Sequence, residues 1–210
     1  AFRETSVIPS EMAESQLQIT PSTLKPLIDK GQIEILTREI YRTPFKELSH
    51  TGHAAILNEE QKTAADRFIR DYGEGHRDTY LLHGITGSGK TEVYMELMEY
   101  VLKRGQQVIL LIPEIALTYQ TVMRFYKRFG DQIAIINSRL SAGERYDQWE
   151  RAAKGEVSVM IGPRSALFTP FQDLGLIIID EEHEGAYKSE TMPRYHARDV
   201  AAERARLCRA

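Results

Sequence analysis

Apolar residues along this chain recur in two rhythms. At helical spacing they fill a segment that Asn58 and Gln61 open as a capping box and that runs to about Asp71. The same spacing returns from Lys90 to Lys103, closed by Gly105, and from about Ile115 to Phe129. A further helix starts at Ser141, paired with Glu144, and stops at Gly155. Between these lie short, continuously apolar runs: Thr79–His83, Val108–Ile112, Ile133–Ile136, Val157–Ile161 and Leu176–Ile179. Runs without polar alternation, separated by helices, predict an α/β fold with a largely parallel sheet covered on both faces. Trp149 and Phe125 fall on apolar helix faces and are expected in the core.

The first part, to about Phe45, has another texture. Ser10 suits the start of a short helix, and Thr20 followed by Pro21 is a helix start signal. Leu24, Leu27 and Ile28 follow at helical spacing, Gly31 stops the helix, and Ile33–Tyr41 is rich in strand-forming residues. Helix, turn, helix and strand ribbon is the order of a winged helix-turn-helix; a small packing subdomain fits the pattern equally well. Lys46–Leu57 has neither rhythm and reads as a linker, with His50 and His53 as solvated loop residues. The expected organisation is therefore a partial winged-helix domain over 1–45, a linker over 46–57, and an α/β lobe over 58–210.

Composition narrows the class. Of the 210 residues 42% are hydrophobic, ordinary for a water-soluble domain. No apolar stretch approaches the roughly 18 residues of a membrane span. Phe2, Arg3 and Glu4 lead into mixed polar sequence, with no signal-peptide core. The single cysteine, Cys208, forms neither a disulfide framework nor a metal-ligand pattern. A cytoplasmic protein without membrane attachment is expected. The net charge of −3 excludes a strongly basic protein while leaving room for a local nucleic-acid groove.

Two constellations carry chemistry. Gly84, Ile85, Thr86, Gly87, Ser88, Gly89, Lys90 and Thr91 spell a phosphate-binding loop between an expected strand and an expected helix. Its glycines let backbone amides turn inward around phosphate oxygens, and the helix adds its positive end. Lys90 would neutralise the β/γ-phosphates and the Thr91 hydroxyl would face Mg²⁺. The second constellation, Asp180-Glu181-Glu182-His183, ends an apolar strand, where parallel sheets bind ligands. Asp180 would hold magnesium through water, and Glu181 would orient and polarise the attacking water. ATP or GTP is the implied cofactor. In the loop beyond, Tyr187 and Tyr195 could stack on bases, with Lys188, Arg194 and Arg198 supplying charge for the backbone. An ordinary surface loop is the plain alternative.

Two more stretches, IPEIALTYQ (Ile112–Gln120) and GPRSALFTP (Gly162–Pro170), follow expected strands. Together with DEEH and the aromatic-rich segment EGAYKSETMPRYHARDVA (Glu184–Ala201), they closely resemble the primosomal replication-restart DNA helicases of superfamily 2, the primosomal protein N′ family. The resemblance runs over nearly the whole chain, and that family places a winged helix at the amino-terminal position seen here. It implies a RecA-like P-loop NTPase lobe of an ATP-dependent 3′–5′ helicase that acts at abandoned forks. ATP and Mg²⁺ are the implied cofactors. The implied partners are single-stranded and forked DNA, the single-stranded-DNA-binding protein and primosome components.

Carried over by residue, the resemblance gives Gly84–Thr91 to ATP, Asp180 and Glu181 to metal and water, and His183 to the link with DNA. Gln61 would read adenine. Pro113, Arg164 and Ser165 would touch DNA or couple to it. Asn137 stands where a histidine is usual, and Pro163 where a threonine is usual, which removes a backbone donor. The family's arginine finger, second motor lobe and zinc sites find no match here, so the expectation is a near-inactive fragment, with zinc belonging only to the missing part. Other classes remain open: a stand-alone P-loop NTPase, such as a small-molecule kinase, or a nucleotide-switched nucleic-acid-binding module. A kinase would need a lid or acceptor site after the acidic box, where only the basic-aromatic loop stands.

Overall fold

The computed structural model describes residues 20–34 and 56–210. The chain divides into two compact units, Ala1–Ile40 and Tyr41–Ala210. In the first, α1 (Pro21–Asp29) starts on a proline, and Gly31 and Gln32 close it with bonds to the carbonyls of Ile28 and Leu27. Leu24, Leu27 and Ile28 are half-buried. The Ser10 helix, all but the first two residues of the Ile33–Tyr41 strands, and most of the linker with His50 and His53 lie outside the described residues.

The second unit runs α2 (Glu59–Gly73), α3 (Lys90–Lys103), β1 (Gln107–Leu111), α4 (Tyr119–Phe129), β2 (Ile133–Ile135), α5 (Ala142–Ala153), β3 (Val159–Gly162), β4 (Leu174–Ile179) and α6 (Ala197–Cys208). The four strands are all parallel, in the order β2-β3-β1-β4. Val108–Leu111 are wholly buried, which suits a strand sandwiched between helical layers. Alternate side chains serve opposite faces. Val108, Leu110 and Ile112 meet Met98 of α3 and Phe125 of α4. Ile109 and Leu111 meet Leu167, Tyr187 and Ala201. Each such buried aliphatic side chain stabilises by about 1.5–3 kcal/mol.

Both expected capping boxes form, at Asn58/Gln61 and Ser141/Glu144. Three expectations are corrected. Thr79–His83 is not a strand. No ladder partner reaches it among the described residues, and Leu81 is 75% exposed. Its Tyr80 hydroxyl instead donates to Asp71 Oδ2 at 2.9 Å, fastening the segment to α2. Helix α4 begins at Tyr119 rather than Ile115, because the Thr118 hydroxyl accepts from the Thr121 amide and Pro113–Leu117 closes as a turn. Trp149 is 38% exposed, since α5 buries Gln148 and Ala152 instead. Among the described residues no helix is long and apolar enough to cross a membrane.

Candidate functional site

The carboxyl ends of the strands converge on one side of the sheet, as a parallel sheet requires. From the end of the Tyr80–His83 segment, Gly84–Thr91 runs into the first turn of α3. Gly87 and Gly89 both have φ of 81°, a region that favours glycine. A Cβ on Gly89 would also collide with Gln61 Nε2. That closeness has a purpose: Gln61 Nε2 donates to the Ser88 carbonyl at 2.9 Å, while its Oε1 accepts from the Asn58 amide. The glutamine thus caps α2 and braces the loop at once, with one N–H and one lone pair still to spare. Lys90 Nζ donates to the carbonyls of Gly84 and Ile85, at 2.7 and 3.3 Å, at the positive end of α3.

Asp180 sits one residue beyond β4, its amide bonded to the Leu111 carbonyl. Three further bonds fix it. Tyr94 donates to Oδ2 at 3.1 Å, the Glu181 amide donates to Oδ1, and the Tyr187 hydroxyl donates to its main-chain carbonyl at 2.7 Å. Burial pushes the Asp180 carboxyl above the ordinary aspartate value; the Tyr94 bond opposes that shift and the neighbouring Glu181 charge adds to it. Burial likewise pushes both tyrosines well up, so they remain hydroxyl donors. Glu181 adopts φ of 48°, a strained conformation for a long side chain that costs about 1–3 kcal/mol. Its carboxylate lies 3.7 Å from His183 Nε2, and both groups are open to solvent.

The Thr91 hydroxyl and the Asp180 carboxylate, brought together by the Tyr94 hydroxyl between them, are hard oxygen donors of the kind Mg²⁺ takes. The residues present therefore fit a magnesium–nucleotide. Residues 55–204 match the family described as the type III restriction enzyme, res subunit. The chain belongs to that family. It is 44% identical over 199 residues to the replication restart protein PriA of Bacillus subtilis (strain 168), covering 94% of this chain and 25% of that protein. The PriA of Chlamydia muridarum (strain MoPn / Nigg) is 46% identical over 204 residues, covering 96% and 27%. That of Treponema pallidum (strain Nichols) is 48% identical over 148 residues, covering 70% and 22%. The chain spans about a quarter of the length of these relatives. They bear out the family resemblance read from the motifs, and the all-parallel sheet agrees with the RecA-like lobe it implied.

The remaining candidate residues fall into two groups. Arg164 Nη1 donates to the carbonyls of Lys188 and Ala186, at 2.6 and 3.3 Å, clipping the loop beyond the acidic box to the turn after β3. That loop closes on itself through Lys188 and His196 and through the Ser189 amide to the Tyr195 carbonyl. Arg198 pairs with Glu182 at 2.8 Å, and Ser165 is half-buried beside Arg164. Two expectations change. Tyr187 is 1% exposed: its ring fills the second core and offers no face to a base. Pro113 is buried too, and works through its carbonyl, which receives the Ala116 and Leu117 amides. The loop after β1 then reaches the loop after β2 through Glu114, which accepts from the Ser138 amide.

Sequence reasoning missed Phe168, which meets Tyr195 edge-on at 5.6 Å and is half exposed. The only signal was its place in GPRSALFTP, two residues after a buried Ala166. It also missed Tyr94, whose sequence context is that of a plain core position.

Proposed function

We propose that the second unit is the ATP-binding motor lobe of a 3′–5′ DNA helicase acting in replication restart. Within it, the sequence motifs reduce to one geometric fact: the phosphate loop and the acidic box meet where the Tyr94 hydroxyl joins Thr91 to Asp180. That observation carries the reading, and the names of the relatives supply its biological setting. In this reading residues 58–210 form the lobe, 46–57 the linker and 1–45 a partial winged helix. Single-stranded and forked DNA are the substrates, and the single-stranded-DNA-binding protein and primosome components are the partners.

The loop amides and the start of α3 cradle the phosphates, and Lys90 exchanges its two carbonyl partners for phosphate oxygens. Gln61 meets adenine with its spare donor and acceptor. Thr91 and, through water, Asp180 would hold Mg²⁺, which would supply charge neutralisation at the terminal phosphates. Glu181 orients the attacking water, and His183 beside it faces the DNA side. Arg164, Lys188, Tyr195 and Arg198 lie along the surface given to the strand.

In the full-length protein, Lys90→Ala should weaken nucleotide binding, because Lys90 contacts ground-state phosphates. Glu181→Gln should leave binding largely intact and lower hydrolysis by about 10²-fold or more, because it acts on the water. Equilibrium nucleotide binding and ATPase rate, each with and without single-stranded DNA, measure both. Equal losses of affinity in the two variants, or a parent whose hydrolysis ignores DNA, would overturn the reading.

A further inference from the structure

Thr91 and Asp180 belong to different elements, the start of α3 and the end of β4, and a third side chain spans the gap. Tyr94 stands three residues after Thr91 on the same helix face. It is 5% exposed, and its ring stacks on Phe125 of α4 at 6.2 Å with the planes 8° apart. The hydroxyl lies 3.1 Å from Asp180 Oδ2 and 3.3 Å from Thr91 Oγ1. It has a single proton. The carboxylate takes it, because a bond to a charged acceptor is the stronger, which leaves the Tyr94 oxygen facing the Thr91 hydroxyl.

From this geometry we infer that Tyr94 is the positioning residue of the cation site: it sets the separation and orientation of the two side chains that face the divalent ion. The inference rests on the nucleotide reading above. Asp180 is already fixed at its main chain by Leu111 and Tyr187. Its carboxylate is steered by Tyr94, which is itself held by packing between α3 and α4. Mg²⁺ demands near-ideal geometry from its oxygen partners and gives up water reluctantly, so small errors in donor placement are felt as lost affinity. Partners that orient metal ligands typically matter by 10–100-fold when removed.

The test is the affinity of a fluorescent ADP analogue for the full-length protein, measured in excess Mg²⁺ and again in EDTA. The ratio of the two is the enhancement due to the cation. Tyr94→Phe keeps the ring and its stack, so the fold should survive and the EDTA affinity should match the parent's. The Mg²⁺ enhancement should fall about tenfold or more. In an Asp180→Asn background the same substitution should add no further loss. An unchanged or larger enhancement in Tyr94→Phe, or equal losses with and without Mg²⁺, would overturn the inference and leave Tyr94 a core residue. A parent with no Mg²⁺-dependent binding at all would instead overturn the nucleotide reading on which the inference stands.

Discussion

Arg128 lies near the end of α4 with its side chain almost wholly covered, and it reaches two carboxylates of α3, Glu96 at 2.6 Å and Glu99 at 2.7 Å. Lys103 completes the group from one turn further along, 2.8 Å from Glu99. Burial pushes the Glu99 carboxyl up, but the bonds and charges of Lys103 and Arg128 outweigh it, and its pKa settles below the ordinary 4.5. The sign follows. A carboxylate with a lowered folded-state pKa adds stability that is present above its unfolded value and is lost as the pH falls through the folded one. Glu99→Gln should therefore cost about 1 kcal/mol at pH 7, a low figure for charged hydrogen bonds because the cluster is partly open to solvent. The difference from the parent should shrink below pH 4.5. Urea unfolding midpoints across that range decide it; a gap that stays constant with pH would remove the charge explanation.

At the scale of elements, the close approach of β4 to its neighbours hangs on Gly175. A Cβ there would meet the Tyr72 hydroxyl, Gln106 Cβ and Val101 Cγ1, each at 2.8 Å. The Tyr72 hydroxyl also donates to the Gly175 carbonyl and Gln106 Oε1, so α2, β4 and the residue just before β1 share one joint. Gly175→Ala should destabilise by about 1–3 kcal/mol through overpacking, read as a lowered thermal midpoint; a neutral result would mean the joint can open. Nothing local in LGLIIIDEEH announces that joint, and the contrast marks what the sequence could and could not tell. The capping boxes and the Lys90–Lys103 helix were legible because their partners lie within four residues. The ends of the strands shifted by one or two residues because a distant ladder decides them. Thr79–His83 has the right residues for a strand, yet a strand needs a partner, and none of the described residues supplies it. The same reason hid Tyr94 and Tyr187, whose roles are set by Asp180, some 86 and 7 positions away in the chain.

Across the whole second unit, three ties fasten the segment after the acidic box to the box itself and to the turn after β3. Tyr187 holds the Asp180 carbonyl, Arg198 holds Glu182, and Arg164 holds the carbonyls of Ala186 and Lys188. On the outside of the same segment, Phe168 and Tyr195 form an aromatic pair with exposed Lys188 and Arg194 nearby in the chain. The two tyrosines read together from the sequence thus sit differently: Tyr195 is half-buried against the half-exposed Phe168, and Tyr187 is wholly buried beneath. Stacking on an aromatic side chain is worth about 1–3 kcal/mol per base, a factor of about 5–150 in affinity. Phe168→Ala combined with Tyr195→Ala should weaken single-stranded DNA binding by that factor in the full-length protein. Tyr187→Phe should leave DNA affinity unchanged and lower the ATPase rate, because only the bond to the Asp180 carbonyl is lost. Both measurements belong at one fixed salt concentration, since salt weakens protein binding to a nucleic-acid backbone. If Tyr187→Phe weakened DNA binding while the double variant did not, the strand would run over a different face of the lobe.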